Sequence, residues 1–106
     1  MTWKIIPFAR DYEASDDGQI RKVNGRQAGI IMRAHDNGYG YLKVKLVVGY
    51  QRVIFYVHRI VCHTFHGAPP DNTECRHLDG DARNNVASNL KWGSPKINAR
   101  DKRRRR

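Results

Sequence analysis

ECRHLDGDARNNVASNLKWGSPKIN, residues 74–98, holds one histidine, four asparagines, two aspartates and a tryptophan. Asparagine at this density usually builds turns. His77, Asn89 and Asn98 stand apart, each beside apolar neighbours. The pattern predicts a short strand over residues 75–78, a tight turn over 79–81, a loop over 82–88 and a second strand over 89–92. A helix then opens with Ser94 as N-cap and Pro95 at its first position. Asp79 closes an Asx-type turn, Gly80 takes a positive φ, Asn84 and Asn85 are loop residues, and Trp92 anchors the core. Strand, loop, strand and helix can each turn a polar group toward one cleft.

Such a cleft suits phosphodiester hydrolysis. A histidine near its ordinary pKa can take a proton from water at neutral pH. It must hold one tautomer, so its other ring nitrogen needs an acceptor, and the amide oxygen of Asn89 on the neighbouring strand can serve. A divalent cation is needed where charge builds on the phosphate and the leaving oxygen. The side-chain oxygen of Asn98 is a hard ligand suited to Mg²⁺ or Mn²⁺.

Working outward, residues 1–26 form a small unit with a turn at Ser15-Asp16-Asp17-Gly18 and a short strand over 19–23. A second strand is expected over 28–34, then a turn at His35-Asp36-Asn37-Gly38 with Asn-Gly hairpin chemistry. Residues 39–48 alternate, with Leu42, Val44, Leu46 and Val48 on one face and Lys43 and Lys45 on the other. Gly49-Tyr50-Gln51 turns the chain into a β-branched and aromatic strand over 52–57, and the two strands pair as a hairpin. Residues 58–67 read as a short helix stopped by Gly67, and 68–72 as a rigid connector. The fold class is α+β: small antiparallel hairpins followed by a strand–loop–strand–helix unit.

The chain of 106 residues suits one compact domain. It lacks the long apolar run a membrane span needs and a signal-peptide apolar segment, so an intracellular location, the cytoplasm of a host cell, is expected. The net charge is +10, and residues 96–106 contribute +6 of it against +4 from residues 1–95. A basic tail on a mildly basic domain fits a polyanion, and nucleic acid fits better than membrane because the tail has no apolar face. A tail that only aids solubility is the plain alternative. Cys62 and Cys75, with His63, His66 and His77 near them, follow no standard zinc spacing, so zinc is disfavoured against two free thiols.

The frame H-x-D-G-x(8)-N-L-x-W-x(5)-N, set by His77, Asn89 and Asn98, resembles the HNH nucleases of the ββα-metal fold, nearest to the phage and intron homing endonuclease branch. GYGYLKVKL and VHRIVCHTF look like the hairpin and helix that precede the motif there. TWKIIPFARDYEASDDGQIRKV is similar to a short module often attached to those nucleases, so the likeness covers nearly the whole chain. It implies an N-terminal module at 1–26, an HNH nuclease domain at 27–101 and a basic tail at 102–106. It implies that His77 is the general base, that Asn89 orients it and that Asn98 binds one Mg²⁺ or Mn²⁺. The implied reaction is metal-dependent DNA cleavage leaving 5′-phosphate and 3′-hydroxyl ends, often as a nick.

One residue departs from that family's pattern. Arg76 stands where the family places an acidic or other metal ligand, and a guanidinium offers no lone pair. Asp79 or Asp81 is then the candidate carboxylate for the metal, or Arg76 contacts phosphate and the metal is held weakly. Arg59, Arg76, Lys91, Lys96 and Arg100 are the expected DNA contacts, and Lys43 and Lys45 read as the solvated face of the hairpin. Double-stranded DNA is the expected partner. A homodimer or a partner protein would supply further specificity, and the residues select neither. Two other classes fit parts of the pattern: a non-catalytic nucleic-acid-binding protein with a degraded metal site, and a zinc-stabilised basic module.

Overall fold

Period-two alternation over residues 39–48 predicts a strand, and strands are the commonest regular element among the described residues. The structure, a computed structural model, describes residues 1–94. Strands β1 (Trp3–Ile6), β2 (Ala9–Ser15) and β3 (Ile20–Lys22) form an antiparallel sheet in that order. Strands β4 (His35–Asp36), β5 (Leu42–Val48) and β6 (Gln51–Tyr56) form a second antiparallel sheet. Helix α1 (Val57–His66) follows, and β7 (Glu74–His77) pairs with β8 (Leu90–Gly93) as a two-stranded ribbon. The class is α+β, as the alternation implies. The helix expected from Ser94 onward lies outside the described residues, as do Asn98, Lys96, Arg100 and the basic tail.

The β5–β6 hairpin forms where the alternation placed it. Val44 and Leu46 point into the core while Lys45 faces solvent. Gly49 and Tyr50 connect the strands with φ of 57° and 69°. Positive φ at both central positions makes a primed turn, whose twist matches that of the strands. α1 starts at Tyr56 with no side-chain cap and ends at Gly67, whose φ of 87° favours glycine. Its buried face carries Val57, Ile60, Val61, Cys62 and Thr64.

Two expectations fail. Residues 28–34 do not form a strand: only single bridges, Lys22 to Ala28 and Arg21 to Ile31, join them to the first sheet. Gly29 has φ of 80°, which breaks an extended run, and Ile30 and Ile31 are exposed, so apolar content there is not a core face. The turn expected at 35–38 also moves. His35 and Asp36 pair with Lys43 and Leu42, and the reversal lies over residues 37–41. Asp36 Oδ1 accepts the backbone N–H of Gly38 at 2.7 Å and of Gly40 at 3.0 Å, so the aspartate organises the loop.

The hydrophobic core crosses residue 26 without a break. Ile6, Ala9, Tyr12, Ala14 and Ile20 pack in one cluster with Val44, Leu46, Val57, Ile60 and Leu90. The Tyr12 hydroxyl also accepts the backbone N–H of Val47 at 3.0 Å, joining the first sheet to the second. Among the described residues no helix is long and apolar enough to cross a membrane.

Candidate active site

β7 and β8 pair with Cys75 opposite Trp92, Arg76 opposite Lys91 and His77 opposite Leu90. Alternation turns Cys75 and His77 inward, at 4% and 5% exposure. His77 ends its strand as a buried ring. His58 from α1 has its ring 5.0 Å away and Tyr41 6.0 Å away, centroid to centroid. His77 Nε2 lies 2.9 Å from Asn85 Oδ1. An amide oxygen can only accept, so Nε2 donates, and in the neutral ring the lone pair is then on Nδ1.

The partner of that ring differs from the residue expected. Asn89 belongs to a 3₁₀ turn (Ala87–Asn89) that precedes β8, beyond the His77–Leu90 pair. Its side chain turns into the loop instead of toward the ring. Asn89 Oδ1 accepts Asp79 N–H at 3.1 Å, and Nδ2 donates to Asp79 Oδ1 and to Asn84 O, each at 2.9 Å. Asn85, read as a plain loop residue, is the one that reaches His77. Loop residues carry no periodic signal, so nothing in the sequence separated Asn85 from Asn84. His58, not among the expected site residues, shares the buried face of α1 with Val57, Ile60 and Val61.

Asp79 sits at the hub of the same loop. Its Oδ1 also accepts Asp81 N–H at 2.8 Å, and its Oδ2 accepts Asn84 Nδ2 at 2.8 Å. These bonds hold its carboxyl below the usual carboxylate range, the Asn84 amide contributing most, then the Asp81 backbone N–H. Oδ2 carries one of these bonds and keeps a second lone pair for a cation. Arg83 of the loop pairs with Asp36 at the end of β4, fastening the site to the second sheet.

Of the expected DNA contacts among the described residues, Arg76 and Lys91 lie on the β7–β8 ribbon and Arg59 on α1. Arg76 and Lys91 are direct cross-strand partners on one face of the ribbon. Arg76 crosses Gly93, where a Cβ would come within 2.6 Å of its Cδ. Arg59 is exposed in the first turn of α1 and lines a cleft of about 320 Å³ with Tyr39, Tyr41, Tyr56, His58 and Glu74. Lys43 and Lys45 lie on the outer face of the second sheet, across from Tyr56 and Ile54. Cys62 and Cys75 are free and buried, and the Cys62 thiol together with burial pushes the Cys75 thiol far up.

Comparison with known proteins places these features in a family. Residues 55–100 match the HNH endonuclease family, and residues 1–47 match the NUMOD4 motif. An uncharacterised HNH endonuclease of Acanthamoeba polyphaga mimivirus is 35% identical over 98 residues, covering 92% of this chain and 28% of that protein. The DNA endonuclease I-HmuI of Bacillus phage SP01 is 29% identical over 99 residues, covering 92% of this chain and 55% of its own length. A solved structure described as DNA binding and cleavage by the HNH homing endonuclease I-HmuI matches with a TM-score of 0.83 at 27% identity, over 97% of this chain and 58% of that one. The chain thus spans between about a quarter and somewhat over half the length of these relatives.

Proposed function

We propose, from a chain that belongs to the HNH endonucleases and to their homing branch, that it hydrolyses phosphodiester bonds of double-stranded DNA with the help of a divalent cation. The observation that carries this reading is the buried His77 ring, whose Nε2 meets an amide oxygen at 2.9 Å and whose lone pair therefore sits on Nδ1. A neutral imidazole held in one tautomer is poised to take a proton from an attacking water. Mg²⁺ or Mn²⁺, when bound, supplies charge stabilisation at the phosphate and the leaving oxygen. Asn98 and the remaining lone pair of Asp79 Oδ2 are the protein oxygens offered to it, one ion per site. Asp79 is a hard donor whose carboxyl stays ionised well below neutrality, which suits such an ion.

Phosphate contacts fall to Arg59, Arg76 and Lys91, and beyond the described residues to Lys96 and Arg100. The ribbon register supports this, since it places Arg76 and Lys91 opposite one another. Cleavage leaves 5′-phosphate and 3′-hydroxyl ends, and a single site working alone nicks one strand. The work belongs in the cytoplasm of a host cell, where DNA is at hand and buried thiols such as Cys62 and Cys75 stay reduced.

Arg76 favours a second reading. A guanidinium beside the general base repels a cation, which describes a protein that binds DNA without cutting it. Supercoiled plasmid with Mg²⁺, Mn²⁺ or EDTA, wild type beside His77→Ala, separates the two. The nuclease reading expects open circles only with metal, and a loss on the order of 10²- to 10⁴-fold in His77→Ala. Intact plasmid in every lane, with a retained gel shift, selects the binding protein. Cleavage that survives both EDTA and His77→Ala removes the assignment.

A further inference from the structure

We propose that the β2–β3 turn of the N-terminal sheet is a positioning element of the active site, acting on His77 through Asn85. The inference rests on His77 being the general base of the reaction proposed above. Asn85 is 5% exposed and lies in a stretch without strand or helix. Its Oδ1 meets His77, while its Nδ2 is buried with no hydrogen-bond partner among the described residues. A buried amide with an idle donor is a poor choice for stability. Its oxygen is nonetheless aimed at the ring, so some neighbouring structure must hold it.

That structure comes from the opposite end of the chain. Gly18 packs so closely on Asn85 that a Cβ there would lie 2.9 Å from Asn85 O and 3.0 Å from Asn85 Cβ. Ala87 N–H donates to Asp16 O at 2.7 Å, strapping the loop to the same turn. The turn is itself firmly set. Ser15 is fully buried, its N–H donates to Gln19 O at 2.8 Å, and its Oγ accepts Gln19 N–H at 2.9 Å. Asp16 is tied to Thr2 in both directions, donating its N–H to Thr2 O at 2.9 Å and accepting Thr2 N–H on Oδ1 at 3.0 Å. Gly18, with φ of 94°, is the point of closest approach. The N-terminal sheet therefore forms one wall of the active-site loop.

Two readouts test this. The first is the nitrogen shifts of the His77 ring in metal-free protein, at a pH where the ring is neutral, which report the tautomer without any cleavage. The second is the split between kcat and KM for plasmid nicking. Wild type should show Nε2–H. Asn85→Leu and Gly18→Ala should mix the tautomers and lower kcat, by about 10²-fold for Asn85→Leu and about tenfold for Gly18→Ala, with KM little changed. Gly25→Ala is the control. Gly25 also has positive φ in the N-terminal region, but only Lys22 Nζ comes within 4 Å of its Cβ position, so the ring signals and kcat should stay as in wild type. An Nδ1–H tautomer in wild type overturns the proposal, whether or not any variant folds. So does a folded Gly18→Ala protein with wild-type ring signals and kcat. A wild type that cuts nothing in any metal would sink the nuclease reading in the plasmid assay, whereas the ring signals test the turn separately.

Discussion

At the scale of single residues, the site loop is governed by one carboxylate. Asp79 accepts from Asp81, Asn84 and Asn89, and its pKa is lowered as a result. A depressed folded-state pKa means the stability it contributes is fully present above the ordinary carboxylate value, about 3.9. That stability is lost as pH falls through the lower folded value. Urea unfolding of wild type and Asp79→Asn at pH 7, 5 and 3 should therefore show a gap that is constant between pH 7 and 5 and narrows toward pH 3. An unchanged gap at pH 3 would mean that the loop does not depend on the charged form.

At the scale of elements, two predictions follow from pairing. Tyr50 is fully exposed and holds φ of 69° in the β5–β6 turn, a region that costs an ordinary side chain about 1 kcal/mol. Asparagine tolerates it, so Tyr50→Asn should raise the melting temperature by several degrees in calorimetry, roughly 4–8 °C per kcal/mol. The ribbon makes a different prediction. If Arg76 and Lys91 both touch phosphate, replacing each with Gln should lower the slope of log K against log salt by about 0.9 per residue. The affinity should fall alike on unrelated DNA sequences, because phosphate contacts carry no base information. Titrations at several salt concentrations measure both.

At the scale of the whole molecule, the sheet of residues 1–26 is part of one core. Ile6, Ala9, Tyr12, Ala14 and Ile20 are buried against residues from β5, α1 and β8. A fragment spanning residues 27–106 exposes the other side of that core and should lack the dispersed amide spectrum of a folded protein. A folded fragment would show that the nuclease unit is independent of the N-terminal sheet. The same packing explains why a segment that resembles an accessory module reaches the site loop through Gly18 and Asp16.

Several features were settled by the sequence alone, because each rests on local chemistry. Alternation in residues 39–48 and the β-branched, aromatic run over 52–57 determine the β5–β6 hairpin, and the helical spacing of Ile60, Val61, Thr64 and Phe65 determines α1. The strand–loop–strand frame around His77 also follows from local pattern. Three features needed the fold. Residues 28–34 look like a strand by composition, but no sheet edge takes them beyond single bridges. Asn85 rather than Asn89 meets His77, because the β7–β8 register leaves Asn89 beyond the last pair and turned into the Asp79 loop. The contact of Gly18 with Asn85 joins residues 67 positions apart. Short-range periodicity cannot encode such a contact, because tertiary packing alone brings a turn and a loop together.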